Sequence, residues 1–392
     1  MRHQCIPRKQ SLVSMSVLLL VLALTSLYAQ ETSQWRTLSG EVRTAGQAQA
    51  VIRRLLENPG AKAISVAVIQ DARVAYREAA GIVDPRSKQP VNERTVFRGA
   101  SLSKPVFAYL IMKLVGEGIL DLDKPLVQYL DRPLPEFADY RDLKADDRYR
   151  LLTARIILSH RSGFPNWRIM NPGRRLDFKF APGEQFKYSG EGYRLLQMIL
   201  EQITGKPFND LAREKVFEPL AAKNTSYLWE QRFDGNFAVD LNTDLRSLIL
   251  QTKTVPNSAG SLLSNASDYA AFLVAALTGQ GLKKGSVETM LKRYVGVTST
   301  SLHAPQRTDL AIQEKIDLGW GLGWGRFRCP AGEAVFHTGR EEGCDCYAVY
   351  FLDRGIGLVV FSMTDESAPV VPAIAKELIG DVYSPFAWLM YR

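Results

Sequence analysis

Two serines and a lysine stand directly before an almost wholly apolar run in residues 99–110, GASLSKPVFAYL. Pro105 has no backbone donor and is tolerated in the first turn of a helix, so a helix should begin between Ser101 and Lys104. Residues three apart are neighbours on one helix face, which brings these two side chains within reach of each other. A hydroxyl beside an amine is the arrangement of a nucleophile and its proton acceptor.

A structural role is the alternative for this pair. Serine is a favoured N-cap, and a lysine at a helix end often extends its charged head towards water. A short Ser-x-x-Lys motif therefore needs support from the rest of the chain before a catalytic role follows. A nucleophilic serine also requires a second proton-transfer group and an anion-stabilising backbone, which distant segments must supply.

Two distant segments offer such groups. FKYSGEGY places Tyr188 in a loop just before a predicted helix, and FHTGR places His337, Thr338 and Gly339 on a predicted strand. A tyrosine phenol has an ordinary pKa of about 10, so Tyr188 acts as a base only beside a positive charge such as that of Lys104. The glycine lets a ligand approach the strand backbone.

A sheet and a helical block must position these groups. Residues 63–70 and 72–83 predict two strands joined by a turn at Asp71, after an amphipathic helix over residues 48–57. A mostly helical pattern with long loops follows over residues 97–298, and YRLLQMILEQITG is its clearest helix.

Strands then return in LGWGLGWGRF, EAVFHTG, CYAVYFL and GIGLVVFSM, followed by a last helix near residues 370–379. The two ends of the chain should therefore share one sheet, with the helical block inserted between them. The alternate glycines of GWGLGWG do not fit a dinucleotide-binding fingerprint and favour a strand that other backbone approaches closely.

Composition and charge exclude several classes of protein. The 392 residues are 46% hydrophobic, which is typical of a globular chain with ample material for a core. The formal net charge is +8, but the basic residues are interspersed with acidic ones, as in GREEG, and form no stripe. Nucleic-acid binding is therefore not expected.

The N-terminal residues resemble a secretory signal. Arg2, Arg8 and Lys9 precede an apolar run over residues 17–24, and Ala29 is a small residue at a suitable exit position. The pattern predicts a signal peptide over residues 1–29 and a periplasmic or secreted protein. An uncleaved membrane anchor is the alternative.

Three cysteines, Cys329, Cys344 and Cys346, lie outside the predicted signal. In an oxidising compartment we expect one disulfide that joins Cys329 to one of the other two, with the third thiol free. The spacing does not suit a four-ligand zinc site, so the cysteines are interpreted as structural.

The ordered motifs resemble those of the serine β-lactamase and penicillin-binding-protein superfamily, in its class C-like branch. That family's signature is Ser-x-x-Lys, then Tyr-x-Asn, then Lys-Thr-Gly or His-x-Gly, and segments such as LTARIILSHRSGFP also match, over about residues 45–385. The resemblance implies an α/β (α+β) catalytic domain over residues 30–392. Its antiparallel sheet, from about 45–96 and 299–392, would be flanked by helices and hold an inserted all-helical subdomain at about 97–298.

The resemblance also implies roles for the matching residues. Ser101 would form an acyl-enzyme, while Lys104 and Tyr188 share the removal of its proton and the transfer to the leaving group; which of the two is the base stays open. The backbone N–H groups of Ser101 and Arg340 would form the oxyanion hole. The residues implied in substrate binding are His337, Thr338, Gly339, Arg340, Gly190 and Glu191. No metal or cofactor is expected.

Two departures from the family's motifs bear on the substrate. The second motif is Tyr188-Ser189-Gly190, so the amide that in the family grips a substrate carbonyl is missing, and Glu191 is its partial replacement. In the third motif His337 stands where a lysine is common. A nearby amine disfavours its protonation, so we expect a neutral imidazole and a kcat/KM that falls at acid pH with an apparent pKa between about 5 and 7.

Three further residues have weaker assignments. His160 lies in a connecting segment and is expected to be a hydrogen-bonded structural histidine. Arg340 and Arg98 could meet an anionic substrate, although solvation at the surface is the favoured role for Arg98.

The leading hypothesis is an exported serine hydrolase that cleaves an ester, amide or peptide bond through acyl-Ser101, with esterase or peptidase activity favoured. A true β-lactamase or D-Ala-D-Ala carboxypeptidase is the alternative, and a non-hydrolysing penicillin-binding or sensor-like protein is the alternative from another class. The expected partner is a small-molecule or peptide substrate, with cell-wall fragments and β-lactams among the candidates. Membrane contact is expected only through an uncleaved signal, and the oligomeric state stays open.

Overall fold

The computed structural model describes residues 33–84, 88–239, 255–306, 316–365 and 368–391. The predicted signal segment, residues 1–29, lies outside these ranges and stays a prediction.

The strands of the described chain are all paired antiparallel. Their bounds are β1 Gln34–Arg36, β2 Val42–Thr44, β3 Ala61–Gln70, β4 Arg73–Gly81, β5 Phe97–Ala100, β6 Leu262–Ser264, β7 Val295–Gly296, β8 Gly319–Trp320, β9 Gly325–Cys329, β10 Gly332–Glu341, β11 Cys344–Phe351 and β12 Ile356–Thr364. Eight of them form one sheet in the order β4-β3-β12-β11-β10-β9-β8-β7. The pairs β1-β2 and β5-β6 form two small separate sheets.

The predicted union of the two chain ends in one sheet is confirmed. Strand β3 lies between β4 and β12, so a strand from the C-terminal part pairs directly with one from the N-terminal part. The turn between β3 and β4 is made by Asp71 and Ala72, whose φ angles of 50° and 57° suit the tight hairpin turn that the sequence predicts.

Helices cover both faces of the sheet. Their bounds are α1 Ala45–Leu56, α2 Ser103–Gly116, α3 Ala154–Leu158, α4 Gly190–Thr204, α5 Phe208–Ala212, α6 Ala266–Thr278, α7 Ser286–Leu291 and α8 Val370–Ile374. Short 3-10 helices lie at Leu126–Tyr129, Leu134–Glu136, Ala138–Leu143, Asp147–Leu151, Arg168–Met170, Pro172–Arg174 and Gln231–Phe233, and π-helical turns lie at Arg213–Phe217 and Ala375–Ile379. Among the described residues, no helix has the length and apolar composition needed to cross a membrane.

Strand β3 shows why the core has two halves. Its side chains alternate between the two faces of the sheet, so one set packs with α2 and α6 and the other packs with α1 and α8. The first set is Ala63, Ala67 and Ile69, and the second is Ile64, Val66 and Val68. Because both faces are covered, the strand reads as a continuous apolar run in the sequence.

The inserted block between residues 97 and 298 is mainly helical, but it is not all-helical. It also contains β5 and β6, which pair with each other, and β7, which joins the large sheet at its edge. The subdomain boundaries at 97 and 298 stay a prediction.

The glycine-rich segment GWGLGWG differs from its predicted single strand. It folds as β8 and β9 joined by a turn, in which the Gly321 N–H donates to the Trp324 carbonyl at 2.8 Å. Gly323 has a φ of 83°, and a Cβ there would overlap the Ala108 side chain of α2. The predicted close approach of backbone is therefore present, although it occurs in a turn.

The predicted disulfide is wrong. Cys329, Cys344 and Cys346 are all free thiols. Strand register explains this: Cys329 lies opposite Gly332 at the start of β10, and Cys344 lies opposite Glu341 at its end. Nine residues of strand separate the two positions by about 30 Å, far beyond the Cα separation of roughly 7 Å that a disulfide allows.

Candidate active site

Ser101 lies in a tight turn between β5 and α2. Ala100 just before it has a φ of 43°, a left-handed backbone conformation that is unusual for a residue with a side chain. The helix begins at Ser103 with Leu102 at the N-cap, and no side chain caps it. Ser101 therefore precedes the helix instead of opening it, and its hydroxyl is not used as a cap.

Lys104 is completely buried in the first turn of α2. Its Nζ donates to Ser101 Oγ at 2.9 Å and to the Ala259 carbonyl oxygen at 2.7 Å. Among the described residues it makes no ion pair with a carboxylate, and burial lowers its pKa well below the ordinary value of 10.5. A lysine that extends its charged head to water, the structural alternative above, does not describe this side chain.

Tyr188 packs beside this pair and is 3% exposed. Lys104 Nζ lies 4.6 Å from the centroid of its ring. Burial raises the pKa of the phenol, and the neighbouring Ser101 hydroxyl lowers it in part. Ser101 is thus a neighbour of the phenol, but Tyr188 Oη makes no hydrogen bond to a described residue. The phenol is therefore protonated at neutral pH.

His160 also packs against Tyr188, with the two ring centroids 4.3 Å apart. Its Nδ1 accepts a hydrogen bond from the Ser189 N–H at 3.1 Å, and burial, with a smaller effect of Lys104, lowers its pKa well below 6.5. A buried, hydrogen-bonded ring in contact with Tyr188 agrees with the structural role that the sequence suggests for it.

His337 is fully buried beneath the cavity. Its ring centroid lies 6.0 Å from that of Tyr188, and its Nδ1–H donates to the Thr338 carbonyl at 2.8 Å. Burial, with a smaller effect of Lys104, lowers its pKa to about 3, so the imidazole is neutral at pH 7. Its titration therefore falls below the interval of pH 5 to 7 that the sequence suggested for the acid limb of activity.

The end of β10 forms one wall of the site. Strand β9 pairs with β10 only as far as Phe336, so the β9-facing edge of residues 337–341 has no strand partner in the described chain. A Cβ on Gly339 would overlap the Gly99 carbonyl oxygen and lie 3.2 Å from Leu102 N. Glycine is required because the strand runs directly against the turn that holds Ser101.

An open cavity of about 780 Å³ lies above these groups. Four of the predicted site residues line it, namely Ser101, Tyr188, Thr338 and Arg340. The other predicted residues, Lys104, His337, Gly339, Gly190 and Glu191, lie behind its walls.

The prediction that Glu191 replaces the missing amide is wrong. The carboxylate is almost completely buried and accepts three hydrogen bonds from Arg168, from its backbone N–H at 2.9 Å and from its guanidinium at 3.0 and 2.8 Å. These three bonds join Arg168 to the first turn of α4, and none of them is directed to the cavity.

Charged residues surround the mouth of the cavity. Arg340 pairs with Asp345 at 2.7 Å, and Arg98 pairs with Glu341 at 3.2 Å. Arg98 is thus engaged by a carboxylate, with its side chain 15% exposed, rather than freely solvated. Glu342 and Asp365 also line the cavity, so its carboxylates outnumber its guanidinium groups.

The lining residues that were not predicted from the sequence include Asn166, Trp167 and His303. The ring centroid of His303 lies 5.5 Å from that of Tyr188, and partial burial together with Lys104 lowers the pKa of the imidazole to about 4. None of the three belongs to a short motif. The sequence did contain one signal for this part of the site. Gly190 stands where the family's second motif has an asparagine, and the missing side chain leaves space that another part of the chain can fill.

Comparisons with known proteins agree with this fold and with the motif order. The sequence pattern of the Beta-lactamase family matches residues 48–379, and the chain belongs to that family. It is similar to Esterase EstB of Burkholderia gladioli, at 26% identity over 355 residues that cover 80% of this chain and 86% of the relative. It is also similar to Penicillin-binding protein 4* of Bacillus subtilis (strain 168), at 26% identity over 353 residues that cover 80% and 70%.

Two solved structures share the fold. An octameric penicillin-binding protein homologue from Pyrococcus abyssi superposes with a TM-score of 0.66 at 22% identity, covering 88% of this chain and 79% of that one. EstCE1, a hydrolase with promiscuous acyltransferase activity, superposes with a TM-score of 0.67 at 18% identity, covering 86% and 98%. The predicted fold class is confirmed, and the chain is a serine hydrolase of the Beta-lactamase family.

Proposed function

We propose that this serine hydrolase cleaves an ester or an amide bond of a small molecule or peptide through an acyl-Ser101 intermediate. The observation that carries the proposal is the contact of 2.9 Å between Ser101 Oγ and the buried Lys104 Nζ. Lys104 is buried and has no carboxylate partner among the described residues, which favours the neutral amine. A neutral amine at this distance can accept the hydroxyl proton as the oxygen attacks the acyl carbon.

Tyr188 takes the complementary role in this proposal. Because burial raises the pKa of its phenol, it holds its proton and is suited to donate it to the leaving group. Lys104, whose pKa is lowered, is the group suited to accept a proton. The opposite directions of the two shifts favour Lys104 as the base, a choice that the sequence left open.

Backbone N–H groups would stabilise the oxyanion. Those of Ser101 and Arg340 belong to the turn and to the strand edge that meet at Gly339. Donors fixed in the backbone need no rearrangement as charge develops on the acyl oxygen.

The charges at the mouth favour a substrate without a carboxylate. Glu341, Glu342, Asp345 and Asp365 line the cavity together with Arg340, which Asp345 already engages. A β-lactam or a D-Ala-terminated peptide brings a carboxylate into this field, where like charge is unfavourable. We therefore favour an esterase, or an amidase or peptidase acting on neutral or cationic substrates, over a β-lactamase or carboxypeptidase.

We also propose that the enzyme works outside the cytoplasm. The proposal rests on the charged, apolar and small-residue order of residues 1–29. Expression of the full chain with detection of the processed N-terminus in the periplasm or medium tests it, and an intact Met1 in the cytoplasm would contradict it.

The nucleophile can be tested with a matched pair of serines. Ser103 is fully buried, donates to the Ala100 carbonyl at 2.6 Å and accepts from Leu262 N–H at 2.9 Å, so it has a structural role. After incubation with a fluorophosphonate, intact mass should show one adduct on the wild type and on Ser103→Ala, and none on Ser101→Ala. An adduct that persists in Ser101→Ala and is lost in Ser103→Ala would overturn the proposal.

Turnover separates a hydrolase from a protein that only captures its ligand. The wild type should hydrolyse a p-nitrophenyl ester over many cycles and lose this activity in Ser101→Ala. A stable acyl adduct with release of a single equivalent of p-nitrophenol would instead support the non-hydrolysing alternative.

A further inference from the structure

The glycine of Tyr188-Ser189-Gly190 is explained by a loop from another part of the chain. A Cβ on Gly190 would lie 2.6 and 2.7 Å from ring carbons of Trp167, and 2.9 Å from the carbonyl oxygen of Asn166. These separations are well below van der Waals contact. Residues 166 and 167 therefore fill the space into which a side chain at 190 would extend.

This loop is fastened to the start of α4. The Gly190 N–H donates to both Asn166 O and Asn166 Oδ1 at 3.0 Å, and the Glu191 N–H donates to Asn166 O at 3.0 Å. Ser189 Oγ donates to the Pro165 carbonyl at 2.9 Å. The loop thus satisfies N–H groups that have no partner within the helix, and it is held in one position relative to Tyr188.

The side-chain amide of Asn166 is oriented by these bonds. Because Oδ1 accepts from Gly190, the other branch of the amide must be the Nδ2 donor. That Nδ2 group donates no hydrogen bond to any residue in the described chain, and Asn166 lines the cavity together with Ser101 and Trp167. A residue of the cavity wall therefore holds an oriented donor that no described residue uses, next to the aromatic Trp167.

We propose that Asn166 is a specificity-determining residue whose Nδ2 donates a hydrogen bond to a carbonyl oxygen in the acyl chain of the substrate. The inference rests on the proposed acyl-Ser101 chemistry and narrows its substrate class. Acyl chains that carry an amide, such as those of N-acylated amino-acid esters and peptides, are preferred over simple alkyl chains. The Trp167 ring supplies apolar contact beside that amide.

The test compares two activated esters of similar chain length. p-Nitrophenyl N-acetylglycinate carries the amide carbonyl, and p-nitrophenyl pentanoate lacks it. Asn166→Asp keeps an oxygen to accept from Gly190 but removes the donor, while Asn166→Ala removes both. Asn171→Ala is the control, because Asn171 follows Asn166 by five residues in the chain, donates to the Arg175 carbonyl and to Asp177, and is not among the residues that line the cavity.

We expect both Asn166 variants to lower kcat/KM for the N-acetylglycinate by ~10-fold or more, the scale of one hydrogen bond of about 1.4 kcal/mol, and to change the pentanoate by less than about twofold. Asn171→Ala should affect both esters equally. Equal losses on both esters in Asn166→Asp would overturn the inference, since the residue would then act only on the fold. No loss on either ester would overturn it as well.

The proposed function fails by a different result. If the wild type hydrolyses neither ester and Ser101 is not acylated, the acyl-enzyme chemistry is overturned and this inference with it. Hydrolysis of the pentanoate that depends on Ser101 but is indifferent to Asn166 leaves the chemistry in place and overturns only the role of Asn166.

Discussion

The floor and the rim of the cavity differ in whether their environment disfavours or accommodates charged side chains. We use floor for Ser101 and Tyr188, which line the cavity, together with Lys104 and His337, which are buried behind them. The rim consists of Arg340, Glu341, Glu342, Asp345 and Asp365. On the floor, burial disfavours the charged form of every titratable group: the pKa of Lys104 and of His337 is lowered and that of Tyr188 is raised. At the rim, Arg340 and Asp345 form a partly exposed ion pair with exposures of 27% and 14%.

Because of this difference, the floor and the rim are suited to different functions. A neutral amine can accept a proton, and a neutral phenol can donate one, so the floor is suited to proton transfer at ordinary pH. The rim holds the Arg340–Asp345 ion pair and further carboxylates, and it is suited to select substrates by their charge. The largest effects of substitution should therefore come from the floor and the smallest from the rim.

Replacement of Lys104 by Met should have the largest effect on activity. The acylation rate should fall by ~10²–10⁴, because the proton acceptor is lost while the packing volume is retained. Stopped-flow release of p-nitrophenol measures this rate.

The pH profile of the wild type should reflect Lys104 and not His337. kcat/KM should decrease as pH falls through the lowered pKa of Lys104, and His337→Gln should not move that acid limb, since the pKa of His337 is already about 3. A limb that shifts in His337→Gln would contradict the separate titration of these two groups.

Lys104→Met should also raise the stability of the folded protein, and the gain should depend on pH. Between its lowered folded pKa and its unfolded value near 10.5, Lys104 binds a proton only in the unfolded chain, so wild-type stability increases with pH in that window. Lys104→Met removes this dependence. Its Tm should exceed that of the wild type by more at pH 6 than at pH 9. A lower Tm at both pH values would contradict an uncompensated buried amine.

Tyr188→Phe should be the second largest change, with a loss of about 10² in kcat/KM, because the ring is kept while the proton donor is removed. Esters with good leaving groups need less protonation, so p-nitrophenyl esters should lose less than alkyl esters. An equal loss on both would contradict the role of the Tyr188 hydroxyl as the proton donor to the leaving group.

Gly339→Ala should have an intermediate effect of ~10-fold or more on kcat/KM, because the added Cβ overlaps the Gly99 carbonyl and displaces the strand from the Ser101 turn. Gly46→Ala is the control. Gly46 lies exposed in the first turn of α1, where no described atom lies within 4 Å of an added Cβ, so alanine there should leave kcat unchanged. Similar activity in the two variants would show that the close approach at 339 is not needed.

Local patterns explain what could be predicted from the sequence. The hairpin at Asp71 and the contact of Ser101 with Lys104 depend on residues a few positions apart, so spacing determines them. Contacts between distant segments have no such signal. The register of β10 separates Cys329 from Cys344, and the closure of Asn166 onto Gly190 joins residues 24 apart through a loop without a repeating pattern.

At the rim, Asp345→Asn should give the smallest effect and the most informative one for substrate charge. The substitution keeps the shape of the side chain but leaves the Arg340 guanidinium, which Asp345 contacts at 2.7 Å, without its carboxylate partner. For an ester that carries a carboxylate, kcat/KM should rise by roughly threefold at low salt, and the gain should diminish at about 1 M NaCl, where the Debye length is roughly 3 Å. A neutral ester should change by less, since the floor is untouched. If the neutral ester lost as much as in Tyr188→Phe, the rim would take part in proton transfer, and the separation of the two regions would be wrong.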